Sequence, residues 1–454
     1  MRAVNFLILL LTIPLVFASP YDAASLTVDG FLSIPIEIRA TGSNPSISSL
    51  TTNMSWYPLT HQGQEILFFT TVPEADYNKD SLTFFLNKPD IGHQSFDIEY
   101  QVKTFVDPLL IKKKVSFPLS PLDASLSDYL TATNTIDITA AIRSLAADLA
   151  VDEDDLFTLV TKIASWTKSN IEYDLSTVNV EASQPSSWVL ANKRGVCDEM
   201  TNLFISLLRS LGIPARFVSG LAYTESDLFD TPWGAHGWAE VYFPGNGWVP
   251  FDVTYGQLGW VDASHIVFAA GIDSEKFGNS FTWLGHNIDV IINQMVIDTS
   301  VLKETGSLPL TLSLDVTPLQ DEVGPNSYQL VMVEVENTMP YYVADELQLA
   351  DVTGLSVLDE NFQVLTLAPY ETKKMYWRVL VDQELENNYI YTFPLILVSQ
   401  RGISAESSFA VTSTSRSLSL SWVERFIKAF DEQTLPYNDE LFFSCAAENV
   451  NPRI

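Results

Sequence analysis

The stretch GVCDEMTNLFISLLRSLGIPAR, Gly195 to Arg216, predicts an amphipathic helix with a cysteine in its first turn. Its apolar residues recur three or four positions apart, which is the spacing of a helix with one buried face. These residues are Met200, Phe204, Leu207, Leu208 and Leu211. Gly212 and Pro214 then end the helix, because glycine readily adopts the left-handed conformation after the last turn and proline cannot continue a helix. We therefore expect a helix that begins at Cys197.

Cys197 stands in a setting that suits a nucleophile. A thiol attacks a carbonyl carbon only as the thiolate, and unpaired backbone N–H groups at a helix N-terminus favour that anion. Gly195 allows a close approach, and the backbone N–H of Cys197 is available to bind an oxyanion. Asp198 and Glu199 are ordinary partners of the helix dipole. A single buried cysteine is more often structural, so the helix alone leaves both roles open.

The only other cysteine in the chain is Cys445. Two cysteines cannot form the multi-bridge framework of a small secreted domain. A disulfide between Cys197 and Cys445 would exclude a catalytic thiol, and the surroundings of Cys197 favour the catalytic interpretation.

A nucleophilic cysteine needs a base, and His236 is the candidate among five histidines. It opens the segment HGWAEVYF, and Asp252 follows in WVPFDVTY on the partner strand of a predicted hairpin. A two-residue loop would place the two side chains on opposite faces. A three-residue loop at 244–246 would pair Trp238 with Asp252 and leave His236 as the diagonal neighbour, roughly 7–8 Å away by backbone. A Cys-His-Asp triad, with Asp252 orienting the imidazole, therefore requires the odd loop or a bulge.

These motifs together resemble the transglutaminase-like superfamily. The resemblance is carried by GVCDE with the LLRSLGIPAR that follows it, by HGWAEVY and by GWVPFD, in this order between about Leu156 and Tyr255. It implies a papain-like α+β core in which Cys197 is the nucleophile, His236 the base and acid, and Asp252 the residue that orients the histidine. It also implies acyl transfer on a protein or peptide amide through a thioester.

The resemblance leaves the reaction open. Peptidase-like or amidase-like members hydrolyse the thioester, which we expect here, whereas cross-linking transglutaminases transfer the acyl group to an amine. A non-catalytic binding or scaffold protein at the cell surface is a third alternative, although all three triad residues are present. We expect no cofactor and no metal ion, since calcium, which animal transglutaminases use, has no supporting motif. Trp166 and Trp188 lie upstream at spacings that do not identify a side-chain oxyanion donor.

Two further helices are predicted before Cys197. Apolar residues three and four apart indicate helices at 136–149 and 156–171. The acidic run at 152–155 suits the N-terminus of the second helix better than a calcium site.

All-β domains are predicted on both sides of this core. Short alternating segments punctuated by glycine, proline and aspartate indicate a β-sandwich at 20–121 and an Ig-like β-sandwich at 296–413. The catalytic domain then spans 122–295. Residues 414–454 would form a C-terminal amphipathic helix and tail, whose apolar face docks on its own protein or, alternatively, on a partner or membrane. The face consists of Trp422, Val423, Phe426, Ile427 and Phe430.

The N-terminus and the overall charge indicate an exported protein. Residues 1–19 resemble a signal peptide, with a basic Arg2 and a short apolar stretch before small residues, although an uncleaved anchor is the alternative. No later segment is long and apolar enough to span a bilayer. The net charge of −31 argues against nucleic-acid binding. We expect a secreted or cell-surface protein whose partner is a protein or peptide substrate.

The remaining candidates carry weaker signals. Trp233, Trp238 and Trp248 could wall the cleft or pack the hairpin onto the helix. His265 and His286 have no motif around them, so we assign them structural or surface roles.

Overall fold

The computed structural model describes residues 20–78, 81–106, 111–179, 183–226, 231–382 and 389–431. The chain divides into two compact units, Met1–Pro309 and Leu310–Ile454. Our predictions for the signal segment, for Cys445 and for the tail after residue 431 fall outside the described residues.

Among its described residues, the first unit combines many strands with four α-helices. Short 3-10 turns occupy Pro20–Asp22, Ala124–Leu130, Leu175–Asn179 and Ser274–Lys276. The helices are α1 (Ala140–Leu149), α2 (Leu156–Asn170), α3 (Ser186–Asn192) and α4 (Cys197–Ser210). The strands are β1 (Ser25–Ala40), β2 (Ser46–Met54), β3 (Gln64–Val72), β4 (Ala75–Asn78), β5 (Ser81–Asn87), β6 (Gly92–Phe105), β7 (Glu172–Tyr173), β8 (Arg194–Gly195), β9 (Ala215–Tyr223), β10 (Trp233–Phe243), β11 (Gly247–Asp252), β12 (Gln257–Leu258), β13 (His265–Gly271), β14 (Asn279–His286), β15 (Ile288–Ile292) and β16 (Val296–Thr305).

Two sheets of the first unit form a β-sandwich. One sheet runs β15-β1-β6-β3, with β16 also paired to β1, and the other runs β14-β2-β5-β4. Alternate residues of β1 and β6 are buried, and they share one hydrophobic core with residues of β2 and β5. The strand periodicity of 2 therefore fixes which face of each strand meets the core.

Strands β14, β15 and β16 join this N-terminal sandwich although they follow the catalytic motifs in the chain. β16 pairs with β1 from Ser25–Thr305 to Ser33–Val296, and β14 pairs with β2. Our boundary at 295/296 therefore lies inside the first compact unit, which ends at Pro309. The physical reason is that alternation in a sequence identifies a strand but not the sheet that it joins. The other domain boundaries stay predictions.

The α+β part of the first unit has a five-stranded antiparallel sheet in the order β12-β11-β10-β9-β13. Helix α4 packs against β9 and β10, and helices α1, α2 and α3 pack against α4. Eleven residues of α4, from Glu199 to Arg209, are buried. The predicted helices before the motif are present, and Asp155 caps α2 by accepting from Phe157 N (2.9 Å) and Thr158 N (3.2 Å). Within the acidic run, Asp155 thus serves the N-terminus of α2, as expected.

The end of α4 is fixed by a glycine and a buried arginine. Gly212 has a φ of +77°, the left-handed conformation predicted for it. The guanidinium of Arg209 donates to the carbonyl oxygens of Ala215 (2.9 Å), Thr131 (2.7 Å) and Ile272 (2.5 Å). These hydrogen bonds tie the helix to the first residue of β9 and so set the helix against the sheet.

The second unit is a sandwich of two sheets around one core. Its strands are β17 (Leu312–Pro318), β18 (Glu322–Val323), β19 (Tyr328–Asn337), β20 (Val343–Leu349), β21 (Leu355–Val357), β22 (Phe362–Leu367), β23 (Thr372–Val381), β24 (Tyr391–Ser399) and β25 (Ser404–Val411). The sheet orders are β17-β19-β23-β21 and β18-β25-β24-β20-β22. The immunoglobulin-like topology that we expected stays a prediction.

The C-terminal helix α5 (Leu420–Asp431) docks on its own unit. Trp422 and Val423 are buried in the core of the second unit, and Phe426 and Ile427 pack against that core. The simpler of our two interpretations is therefore confirmed for these four residues, whereas the side chain of Phe430 lies outside the described part. Among the described residues, no helix has the length and apolar character needed to cross a bilayer.

Candidate active site

Cys197 is the first residue of α4, and its side chain is half-buried. The turn before it is built by Glu199, whose carboxylate accepts hydrogen bonds from Val196 N (2.9 Å) and from the hydroxyl of Thr177 (2.8 Å). A Cβ on Gly195 would lie 2.9 Å from the Cβ of Glu199, so this turn requires glycine. The expected close approach at Gly195 is present. Glu199, which we assigned only to the helix dipole, also shapes the turn.

The hairpin between β10 and β11 has the three-residue loop that the triad hypothesis requires. Residues 244–246 form the loop, with Gly245 at a φ of +80°. The antiparallel register, continued from its last pairs, sets Trp238 opposite Asp252. His236 is then the diagonal neighbour of Asp252 on the same face of the sheet.

His236 contacts both other members of the predicted triad. Its Nε2 lies 2.7 Å from Oδ2 of Asp252, and the side chain of Cys197 is near enough to help raise the pKa of its ring. Because Nε2 is directed at the carboxylate, Nδ1 is the nitrogen that can serve the sulfur. The hydroxyl of Thr201, one turn after Cys197, donates to the carbonyl oxygen of Gly237 (3.1 Å), which joins α4 to β10 beside His236. The structure therefore brings the three predicted residues together.

The electrostatic balance at His236 favours the imidazolium. Burial by itself would lower the pKa of His236, but the charge and hydrogen bond of Asp252 outweigh burial, and Cys197 adds a further contribution. The resulting pKa is about 10, against an ordinary value of 6.5. Burial would raise the pKa of Asp252, but the two histidines around that carboxylate hold it well below its usual range. Asp252 is thus an anion and His236 a cation at neutral pH.

A second histidine, His265, also binds Asp252. Its Nε2 lies 3.1 Å from Oδ2 of Asp252, and its Nδ1 lies 3.0 Å from Oδ1 of Asp262. The assignment of His265 to a structural or surface role therefore missed a contact with the triad. The sequence offered one signal for a buried ion pair, namely Asp262 three residues before His265. No local sequence pattern, however, connects Asp262 or His265 to Asp252. His286 is exposed on β14, as expected.

Three of these side chains could in principle surround a metal ion. His236, Asp252 and His265 offer ligand atoms within 4.8 Å of one another. However, Nε2 of His236 and Nε2 of His265 already donate to the carboxylate of Asp252, at 2.7 and 3.1 Å. Hydrogen bonding therefore accounts for the cluster, and we assign no metal ligands to it.

Tyr173 is a further side chain beside the nucleophile. Strand β7 pairs with β8, so that Tyr173 lies opposite Gly195, two residues before Cys197. Burial, followed by the negative charges of Cys197, Asp198 and Asp252, raises the pKa of Tyr173, so its phenol remains a hydrogen-bond donor. The two upstream tryptophans each pack against a cation that precedes Gly195 in the chain. Trp166 carries the ammonium of Lys193 at 4.4 Å, and Trp188 carries the guanidinium of Arg194 at 5.7 Å.

A cavity of about 200 Å³ opens beside His236. Tyr173 and Tyr255 contribute aromatic walls, and the other lining residues are small. They are Ala222, Thr224, Ser226, Gly234, Ala235 and Thr254. His236 is the only described lining residue that carries a charge at neutral pH, so the cavity suits an uncharged group.

The three hairpin tryptophans have different roles. Trp238 is buried, with its ring 6.0 Å from that of His236. Trp233 packs in the core shared with the N-terminal sandwich, and Trp248 packs edge-to-face against Tyr129, with ring centroids 4.8 Å apart. Only Trp238 therefore lies against the triad, and the other two pack the scaffold.

Other motif residues hold the sheet rather than the reacting atoms. Glu240 binds Nε of Arg216 (2.6 Å) and Nε2 of His61 (2.7 Å), which joins β10, β9 and the N-terminal sandwich. Burial would raise the pKa of Glu240, but these two partners keep it below its ordinary value. Glu240 of the HGWAEVY motif and Arg216 of the LLRSLGIPAR motif therefore hold the fold together.

Comparison with known proteins places residues 143–253 in a family profile, that of the transglutaminase-like superfamily. The matched range contains all three predicted triad residues and ends before His265. The uncharacterized protein YebA of Bacillus subtilis is 34% identical over 130 residues, which are 25% of this chain and 17% of YebA. The uncharacterized protein ML0607 of Mycobacterium leprae is 34% identical over 98 residues, 21% of this chain and 34% of that protein. This chain thus matches only a minor part of both relatives.

Among solved structures, a candidate cysteine protease from Cytophaga hutchinsonii has a TM-score of 0.48 at 19% identity. The alignment covers 63% of this chain and 94% of that chain. The periplasmic domain of TgpA from Pseudomonas aeruginosa has a TM-score of 0.29 at 17% identity, and covers 52% of this chain and 90% of that chain.

Proposed function

Residues 143–253 belong to the transglutaminase-like superfamily, and from this premise we propose that the protein is an exported cysteine enzyme that hydrolyses amide bonds of proteins or peptides. The family match confirms the resemblance predicted from the motifs. The observation that carries the proposal is the hydrogen bond between His236 and Asp252, at 2.7 Å, on a histidine whose ring also interacts with the side chain of Cys197. Export rests on the signal-like sequence of residues 1–19.

In the proposed first half-reaction, the Cys197 thiolate attacks the amide carbonyl carbon. The positive charge of His236 favours the thiolate before attack. The C–N bond then breaks as the imidazolium gives its proton to the leaving nitrogen, which departs as an amine or as ammonia and leaves a thioester on the sulfur.

In the second half-reaction, water resolves the thioester. His236, now neutral, accepts a proton from the attacking water, the C–S bond breaks, and the product leaves as a carboxylic acid while Cys197 returns as the thiolate. Asp252 keeps Nδ1 of the imidazole directed at the reaction throughout by holding Nε2. Transfer to an amine would replace water in this step and would yield a cross-linked product.

The oxyanion formed in both steps needs two donors. The backbone N–H of Cys197 is the first, because the opening N–H groups of α4 have no intrahelical acceptor. We assign the second to the phenol of Tyr173, which lies opposite Gly195 and lines the cavity beside His236. Removal of one such donor typically costs 10²- to 10³-fold in rate.

The test uses a mixture of defined peptides, some of which carry amide side chains. The protein is incubated with them in H₂¹⁸O, with and without a primary amine. Hydrolysis predicts one ¹⁸O in each new carboxylate, seen by mass spectrometry, and loss of this product in Cys197→Ala and His236→Gln. Amine adducts instead of ¹⁸O would replace the hydrolase by a cross-linking enzyme. If neither product forms and an electrophilic amide probe leaves Cys197 unlabelled, the enzyme proposal is wrong and a binding role replaces it.

A further inference from the structure

His265 contacts the carboxylate of the triad without touching the reacting atoms, and we infer that it is a positioning residue. It holds Asp252 in place and adds a buried positive charge that limits how strongly Asp252 retains the proton of His236. This inference rests on the proposed function, because it assigns His265 to the same reaction.

The two partners of His265 define its protonation state. One ring nitrogen faces Asp252 at 3.1 Å and the other faces Asp262 at 3.0 Å. A neutral imidazole has one donor nitrogen and one acceptor nitrogen, so it would direct a lone pair at one of these carboxylates. Two favourable contacts require protons on both nitrogens. His265 is therefore an imidazolium.

Asp262 is itself fixed, so it can hold His265 in one orientation. Its oxygens accept hydrogen bonds from Nε2 of Gln257 (2.5 Å) and from Ser264 N (2.8 Å) and Oγ (2.5 Å). Asp262 and His265 are both buried. A buried carboxylate without such donors would be costly to ionise, whereas this one is well supplied.

Asp252 is in turn held from four directions. Its Oδ1 accepts from Thr254 N (2.8 Å) and Tyr255 N (3.0 Å), whereas its Oδ2 accepts from both imidazoles. Without His265, one of the two donors to Oδ2 is lost. The carboxylate could then rotate away from the geometry that directs His236 at Cys197.

The charged groups around His265 alternate in sign. His236, Asp252, His265 and Asp262 form a row of cation, anion, cation and anion, with the two histidine rings 5.6 Å apart. The rings of Tyr255, at 5.6 Å, and Trp238, at 5.1 Å, also face His265. Across a small cavity of about 40 Å³ lie Glu240 and His61, which bind each other at 2.7 Å.

The second cation changes the proton affinity of the first. Asp252 attracts the proton of His236, whereas His265 repels it, because like charges at such distances disfavour the protonated form. Removal of His265 would therefore raise the pKa of His236. A charge at this distance shifts a buried group by roughly one pH unit. His265 thus keeps His236 able to release its proton to a leaving group.

The test measures the pH profile of Cys197 alkylation by iodoacetate, followed by mass spectrometry of the Cys197 peptide. Iodoacetate is an anion, so its reaction is favoured by the imidazolium and declines at alkaline pH when His236 loses its proton. His265→Gln keeps a donor near Asp252 but removes the charge, and His265→Asn keeps a donor near Asp262. We expect both to move the alkaline limb up by about one pH unit, and His265→Asn to lower the rate further.

His61→Gln is the matched control, because it also removes a partly buried histidine with a carboxylate partner, and His61 does not contact Asp252. A merely structural role for His265 predicts a lower rate with an unmoved alkaline limb in both His265 variants, and that result would overturn the inference. If one variant does not fold, the other decides. If wild-type Cys197 reacts at no pH, the proposed function fails instead. Titration of ¹³C-labelled histidines provides the pKa of His236 without any reagent.

Discussion

Replacement of Asp252 by asparagine tests the largest electrostatic effect in the site. The pKa of His236 is about 10 instead of 6.5, a difference of about 3.5 pH units, although burial alone would lower it. At about 1.4 kcal/mol per unit, the net effect of burial and of the negative groups around the ring favours the imidazolium by roughly 5 kcal/mol. Asp252 makes the largest favourable contribution to this balance.

Asp252→Asn should therefore return the pKa of His236 to 6.5 or below. At pH 7.5 about one tenth of the protein, or less, would then carry the imidazolium. The rate of Cys197 alkylation by iodoacetate should fall at least about 10-fold from this loss alone, and further because the amide no longer fixes the imidazole tautomer. The alkaline limb should move down by at least about 3.5 pH units, opposite in direction to the change expected for His265→Gln.

Asp155→Asn is the control for this measurement. It also removes a carboxylate from the first unit, but asparagine can still cap α2, where Asp155 binds two backbone N–H groups. Its pH profile should match that of the wild type. An Asp252→Asn protein whose alkaline limb stays near pH 10, with a rate within threefold of wild type, would refute the electrostatic reasoning.

Three further predictions concern the surroundings of the triad. Tyr173→Phe should lower kcat/KM for amide hydrolysis by roughly 100- to 1000-fold while Cys197 alkylation stays unchanged, since alkylation forms no oxyanion. Equal losses in both reactions would remove Tyr173 from the oxyanion site. A Cβ on Gly234 or Gly278 meets no heavy atom within 4 Å, so both Gly234→Val and Gly278→Val should fold. Gly234→Val should fill the cavity and raise KM, whereas Gly278→Val, which lies outside the cavity, should leave KM unchanged. Unchanged kinetics in both variants would show that substrate does not use the cavity. Because the folded-state pKa of His236 is raised, its stabilising contribution is complete below pH 6.5 and is lost as the pH rises through about 10. Tm should therefore fall over this pH range by more in wild type than in His236→Gln. Parallel curves of Tm against pH for the two proteins would contradict this prediction.

Local sequence signals predicted the parts of the site that neighbouring residues build. The helix start at Cys197, the left-handed Gly212 and the acidic cap of α2 each depend on a few consecutive residues, so they could be read without any fold. The length of the hairpin loop between β10 and β11 was a more specific prediction. The sequence offered two registers for the hairpin, and the chemistry required the one that the structure has.

Long-range packing decided the features that the sequence left undetermined. His265 contacts Asp252 because β13 pairs with the far side of β9, which brings a third strand end to the same point. No short pattern records that juxtaposition. β16 was recognisable as a strand, but its pairing with β1, more than 260 positions earlier in the chain, is a property of the assembled sandwich.

The sequence by itself determined that this protein carries a cysteine at a helix start, followed by histidine and aspartate on a hairpin, because local backbone preferences and family motifs are short-range. Only the tertiary structure decided that Asp252 serves two histidines and that Tyr173, rather than an upstream tryptophan, lies opposite the turn before Cys197. The physical reason is that proton affinities and hydrogen-bond geometry depend on distances of a few ångströms between residues far apart in the chain. Those distances are set by how the sheet and helix pack together.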